Sequence, residues 1–176
     1  AVELTPAEVA QMYQTIANKG KYQQLAAIEA ITGPQSQAVY QRRNIVQQRV
    51  TEEADYLLQY AMQQSTRSGT SKILANQFAG IRFAGKTGTS SDHKDSWFTG
   101  FEHESSVTVW LGRDDNKSIG LTGGSGALTL FSQYFRTVPP NSLFRAIPPD
   151  VTLGRFSATT GRAVADDCGG TLLLPK

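Results

Sequence analysis

Three strand-like runs joined by very short connections constrain this chain more than any other feature. Ile81 to Thr89, Ser96 to Phe101 and Ser106 to Leu111 carry strand-type residues, and only the polar turn Glu102 to Ser105 separates the last two. A parallel neighbour needs a crossover of a dozen or more residues, so connections this short predict antiparallel pairing. In the last run Val107, Val109 and Leu111 alternate with Thr108 and Trp110. Both faces carry bulk, which predicts a sheet covered by helices.

The flanking segments supply those helices. Thr5-Pro6-Ala7-Glu8 is a capping box with proline at the first helical position. Val9, Met12, Tyr13 and Ile16 follow at helical spacing, with Met12 and Tyr13 expected in the core and Gly20 as the stop. Thr51 caps a second helix running to Thr66, with Tyr56, Leu57, Tyr60 and Ala61 expected on its inward face and Gly69 ending it. Between the two helices, Leu25 to Ile31 and Ala38 to Gln41 flank the turn signal Gly33-Pro34, which predicts a peripheral hairpin. The segment 69–77 adds a short helical turn. After the strands, the glycine-rich stretch Leu121 to Leu128 leads into a helix, with Ser125 as N-cap and Leu128, Phe131 and Phe135 on one stripe. Pro139-Pro140 ends it. This order is the pattern of an α+β fold, an antiparallel sheet covered by helices. Residues 1–137 are expected to form one packed unit, and 138–176, rich in Pro, Gly and Thr, a tail or the start of an extension.

Composition removes several classes of function. The 176 residues are 39% hydrophobic, enough for one core, and the net charge of +2 is spread without a basic run denser than Arg42-Arg43. That is a solvated surface rather than a nucleic-acid face. No apolar stretch approaches the roughly 18 residues of a membrane span. Cys168, the one cysteine, has no partner for a disulfide within the chain and no thiol-protease signature around it. His93 and His103 with Asp92, Asp95 and Glu104 match no familiar ligand spacing, so neither a metal nor another cofactor is expected. Asp114-Asp115 and Asp166-Asp167 are adjacent pairs, whose side chains point apart and make poor acid–base dyads.

The chemistry concentrates in "AGIRFAGKTGTSSD", residues 79–92. Gly80 to Thr87 spells the phosphate-loop pattern G-x-x-x-x-G-K-T. That loop needs a helix directly after its lysine and threonine. Here Ile81 and Phe83 suit a strand, and Gly88 to Asp92 is a poor helix opening, which argues against a nucleotide hydrolase. The competing reading is acyl transfer. An edge strand offers its backbone groups to a peptide-like ligand that adds as another strand. Lys86 brings positive charge beside a nucleophilic serine, and Thr87 and Thr89 bring hydroxyls for a carboxylate. The Thr89 N–H helps hold a tetrahedral oxyanion, and Gly88 lets the ligand approach. Strand parity sets Thr87 and Thr89 on one side and Lys86 on the other, so Lys86 is expected to reach the cleft from beneath the sheet.

The surroundings make the tripeptide specific. The motif runs on through Asp95-Ser96-Trp97-Phe98, Gly100 and Trp110-Leu111-Gly112-Arg113-Asp114-Asp115-Asn116 to "LTGGSGAL", and "LTPAEVAQMYQTIANKG" precedes it. This series resembles the C-terminal half of the transpeptidase domain of class A bifunctional penicillin-binding proteins, of the Gram-negative 1b type. The resemblance implies the penicilloyl-serine transpeptidase (β-lactamase-like) fold, here only its C-terminal part. It implies Lys86 and Thr89 as catalytic residues, Thr87, Gly88, Thr89 and Ser90 as substrate-binding, and Ser96, Trp97 and Thr99 beside the cleft. It further implies cross-linking of D-Ala–D-Ala stem peptides through an acyl-enzyme that β-lactams stall, with a glycosyltransferase upstream in the same protein. The expected partners are peptidoglycan stem peptides, β-lactams, the upstream half of the protein, outer-membrane lipoprotein activators and divisome proteins. The expected location is the periplasmic face of the inner membrane, anchored by a segment outside this chain.

Such enzymes need three motifs, Ser-x-x-Lys, Ser-x-Asn and Lys-Thr-Gly. Ser-x-Asn occurs nowhere in this chain, and Ser-x-x-Lys occurs once, at Ser91-Asp92-His93-Lys94, two residues beyond Thr89 in a polar connection. The chain is therefore expected to be one segment of a split site, without the nucleophile and inactive alone. The alternative is a non-catalytic wall-binding or regulatory module on the same scaffold.

Overall fold

The structure, a computed structural model, describes residues 3–165 and 169–176. Cys168, Asp166 and Asp167 lie outside the described residues. Helix α1 (Pro6–Ala17) opens with the expected capping box: the Glu8 amide donates to Thr5 Oγ1 and the Thr5 amide to Glu8 Oε2 at 2.7 Å. Its inward residues are Tyr13, Ile16 and Ala17, packed against Met62, Ala84, Phe101 and Leu143. Met12 is 47% exposed, contrary to its expected place in the core, because the stripe centres one position further round the helix.

Four short strands follow. β1 (Lys21–Gln23) pairs with β4 (Val46–Gln48), and β2 (Ala30–Thr32) with β3 (Ala38–Gln41). The predicted hairpin thus exists over fewer residues than expected. Leu25 to Glu29 stay outside the pairing, and the β1–β4 pair gives the excursion a second tier.

Helix α2 (Glu52–Arg67), N-capped by Thr51, buries a face that the sequence does not advertise. The expected inward residues Leu57 and Ala61 are exposed and Tyr56 and Tyr60 half-buried, while Asp55, Gln59, Met62 and Thr66 are buried. Partners from distant parts of the chain make this polar face possible. Gln59 Nε2 donates to Ile16 O (2.6 Å) and Asp55 Oδ2 (2.9 Å), and Thr66 Oγ1 donates to Phe83 O (2.5 Å). Buried polar groups are tolerated when they are hydrogen-bonded. Asp55 also forms an ion pair with Arg145, both side chains almost wholly out of solvent.

After a tight loop and α3 (Ile73–Gln77), the strands β5 (Ala84–Thr89), β6 (Ser96–Phe101) and β7 (Ser106–Leu111) form an antiparallel sheet in the order β5-β6-β7. The first strand begins at Ala84, not at Ile81. Gly80 turns with φ 81°, and the backbone of the next residues is engaged elsewhere: Phe83 O by Thr66, Arg82 O by the Leu143 amide, and the Arg82 amide by Ser142 Oγ. Helix α4 (Ala127–Thr137) presents Leu128, Phe131 and Phe135 to the core as expected. Phe131 meets Phe98 with ring centroids 4.6 Å apart, and Phe83 meets Phe135 at 5.1 Å, both edge-on.

Ser125 does not cap α4. Its hydroxyl faces Thr122, and Gly126 at the N-cap has no side chain to offer. The cap comes instead from the sheet: Ser96 Oγ accepts from the Ala127 amide (2.9 Å) and donates to Thr122 O (2.7 Å). Ser96 is completely buried. Ser96→Ala is expected to lower stability by about 1–3 kcal/mol, because it leaves the buried Ala127 amide without its acceptor, while Thr122 O keeps the Gly126 amide. Thermal unfolding of the variant beside wild type measures this.

Beyond Pro139-Pro140 the chain returns along the sheet. Glu102 gathers this return, with Oε1 accepting from the Glu104 and Ser105 amides and Oε2 from the Asn141 amide. Leu143 enters the core beside Met62, and Arg145 reaches Asp55. The last strands, β8 (Leu153–Ser157) and β9 (Thr171–Pro175), pair with each other.

Candidate active-site edge

β5 has no strand on its outer side among the described residues. Antiparallel pairing alternates the direction of the backbone groups along a strand. The Ser90 amide donates inward to Asp95 O at 3.2 Å, in register with the pairing of Gly88 with Trp97 and Lys86 with Thr99. Thr87 and Thr89, one residue out of phase, therefore direct their N–H and C=O groups to the open edge. Lys86 agrees with this phase, since its Nζ reaches the Thr87 carbonyl oxygen at 3.0 Å.

The side chains gather at the same edge. Parity sets the Lys86 side chain on the face opposite Thr87 and Thr89. It is exposed and curls around the strand, with Nζ 3.5 Å from Thr87 Oγ1 as well. No carboxylate among the described residues pairs with it. Thr87 Oγ1 lies 3.1 Å from Thr70 Oγ1 in the α2–α3 loop. Thr89, exposed, accepts from the Gly123 amide on its hydroxyl at 2.9 Å.

Other expected residues also make contacts within the chain. Ser90 closes the β5–β6 connection, its Oγ accepting from the Asp95 amide at 2.8 Å. Gly88 is covered on both faces. A Cβ there would lie 3.1 Å from the Trp97 Cβ, and Gly123 sits so close that its own Cβ would be 2.6 Å from Gly88 O. A ligand can therefore approach Gly88 only from the edge. Ser96 and Thr99 are buried in the central strand and do not line the surface. Trp97 is half-buried against Trp110, whose Nε1 donates to Asp95.

The other motif candidates separate cleanly. Lys86 and Thr87 lie inside a strand with no α-helix directly after them, so the phosphate-loop geometry is absent at this segment. Ser91 and Lys94 flank a single tight turn in which Asp92 and His93 have positive φ, so they do not share the face of an α-helix. His93 and His103 flank β6 at opposite ends, roughly 20 Å apart for a strand of this length. Sequence reasoning missed Thr70 and Gly123. "LTGGSG" was legible as glycine-rich, which could have flagged close backbone packing, whereas Thr70 carries no local signal.

The chain around this edge strand has relatives among known proteins. Residues 1–128 match the family described as penicillin binding protein transpeptidase domain, and the chain belongs to that family. It is similar to penicillin-binding protein 1B of Vibrio cholerae, with 40% identity over 98% of this chain, and to penicillin-binding protein 1B of Escherichia coli, with 34% identity over 99%. The chain spans 22% and 20% of those relatives' lengths. Its fold is similar to the crystal structure of penicillin-binding protein 1A from Haemophilus influenzae, with a TM-score of 0.86 and 20% identity, covering 97% of this chain and 32% of that one.

Proposed function

We propose that this chain is the substrate-binding edge of a serine-type D,D-transpeptidase that cross-links peptidoglycan and is acylated by β-lactams. The observation that carries this reading is the open edge of β5, where the Thr87 carbonyl and the Thr89 amide face outward beside the Lys86 ammonium. A peptide donor pairs with that edge as an added strand. Lys86 favours the deprotonated form of a serine brought against it and supports proton transfer there. The Thr89 N–H stabilises the oxyanion as the carbonyl becomes tetrahedral. Thr87 and Thr89 hold the donor's terminal carboxylate, Gly88 keeps the strand flat at the point of approach, and Ser90 holds the strand's end closed.

The attacking serine belongs to another part of a longer protein. It adds to the carbonyl of D-Ala–D-Ala, the terminal D-Ala leaves with a proton, and the acyl-enzyme passes to an amine of a neighbouring stem. The glycosyltransferase, the membrane anchor, the periplasmic location and the lipoprotein and divisome partners are part of the same reading, supported by the similarity to the 1B proteins. The test is labelling with a fluorescent penicillin. The full-length protein is expected to become covalently labelled at a serine outside residues 1–176, and the isolated chain to remain unlabelled. Labelling of Ser91, or no labelling of the full-length protein, defeats the reading.

A further inference from the structure

Two residues outside the Lys-Thr-Gly-Thr strand touch its two threonine hydroxyls. Gly123, in the loop before α4, donates its amide to Thr89 Oγ1 at 2.9 Å. A hydroxyl has one proton, so a Thr89 oxygen that already accepts from Gly123 leaves its own O–H to donate elsewhere. Thr70 stands in the corresponding place for Thr87, with the two oxygens 3.1 Å apart and Lys86 Nζ at 3.5 Å from Thr87 Oγ1. When Thr70 donates, Thr87 Oγ1 accepts from both Thr70 and Lys86, and its proton faces the open edge.

The loop that carries Thr70 is built to hold it still. The Ser68 and Gly69 amides donate to Gln64 O, the Ser71 amide to Ser65 O, and the Lys72 amide to Gly69 O. Gly69 packs on α2 so tightly that a Cβ would lie 2.9 Å from the Ser65 Cα. On the far side Leu74 is wholly buried. The hydroxyl is therefore presented from a loop pinned at both ends, not from a mobile surface.

We infer that Thr70 is a positioning residue: it orients the Thr87 hydroxyl as a donor, as Gly123 does for Thr89, so that this edge selects ligands ending in a carboxylate. Two oriented O–H donors and one ammonium match the acceptor-only character of an ionised carboxylate and mismatch an ester, which offers fewer and weaker acceptors. The inference rests on the transpeptidase reading above and adds a residue to it.

The experiment uses the full-length protein and measures acylation by a penicillin and by its methyl ester over a range of concentrations. For Thr70→Val, a loss of about threefold to tenfold is expected with the free acid, the size of one hydrogen bond. The loss should appear in the half-saturating concentration more than in the limiting rate, and the acid-to-ester preference should shrink. Thr70→Ser should restore wild-type behaviour, and Thr70→Val should add little on top of Thr87→Val, since the two act through one contact. Equal loss for acid and ester means that Thr70 merely supports the loop, and overturns the inference. Wild-type rates and preference in Thr70→Val also overturn it, and Lys86→Ala in the same series tells which reading has failed. If Lys86→Ala is impaired, only the role of Thr70 falls, and if it is not, the transpeptidase reading falls with it.

Discussion

Lys86→Ala in the full-length protein is expected to slow acylation by a penicillin by about 100- to 1,000-fold, the cost typical of removing one preorganised electrostatic group from a reacting centre. The ammonium sits at the free edge of β5, 3.0 Å from a carbonyl oxygen that itself faces outward. No carboxylate among the described residues neutralises it. Its charge is therefore available to the nucleophile and to a bound anion. Lys86→Arg is expected to recover only part of the rate, because a planar fork replaces a compact charge on a flexible stem. The measurement is the second-order rate of fluorescent-penicillin labelling. A wild-type rate in the alanine variant would remove Lys86 from the mechanism.

Arg145→Ala is the second large effect, and it falls on stability. Asp55 and Arg145 are paired through Asp55 Oδ2 with almost no solvent contact, and Asp55 Oδ1 has no hydrogen-bond partner among the described residues. Removing the arginine leaves an uncompensated buried carboxylate, which typically costs about 3–5 kcal/mol. The return segment also loses its hold on α2, since Arg145 additionally donates to Glu52 O at 2.9 Å.

The cost depends on pH. Burial pushes the Asp55 carboxyl above its ordinary range, and Arg145 and Gln59 offset part of that. A carboxyl whose folded pKa is raised contributes stability that is full below its unfolded value, near 4, and is lost as pH rises through the folded value. Taking Arg145 away raises the folded value further. The deficit of Arg145→Ala should therefore be smallest at acid pH and grow toward neutrality. Thermal unfolding of wild type and variant at several pH values tests this, and a deficit independent of pH would show that the carboxylate's charge is not its source. Pairing Asp55→Leu with Arg145→Leu should return part of the stability, since replacing a whole buried pair is often neutral.

The outer shape of this protein was legible because its signals are local. The capping box at Thr5, the N-cap at Thr51, the short turn at Glu102 to Ser105 and the stripe Leu128, Phe131, Phe135 each state their structure within a few residues. The face of α2 was not legible, because Asp55, Gln59 and Thr66 look like solvent-facing residues until their partners are known. Those partners are Ile16, Phe83 and Arg145, 17 to 90 residues away in the chain. Ser96 as the cap of α4 escaped notice for the same reason: a cap is normally sought in the helix's own sequence, and here the sheet supplies it.

At the candidate site the division is similar. The sequence by itself determined the family, because Lys86 to Thr89 and the series around them form a pattern too long to arise by chance. It also determined that Ser-x-Asn is absent from these residues and that their one Ser-x-x-Lys, Ser91 to Lys94, follows the strand in a polar connection. Only the tertiary structure decided how those residues are held. Pairing with β6 turned the backbone of Thr87 and Thr89 outward, and the open edge let Lys86 curl around the strand. Contacts from two loops, Thr70 and Gly123, reached the threonine hydroxyls. Composition and periodicity act over a few residues, whereas the direction of a hydroxyl proton is set by whichever distant groups the packing brings within about 3 Å.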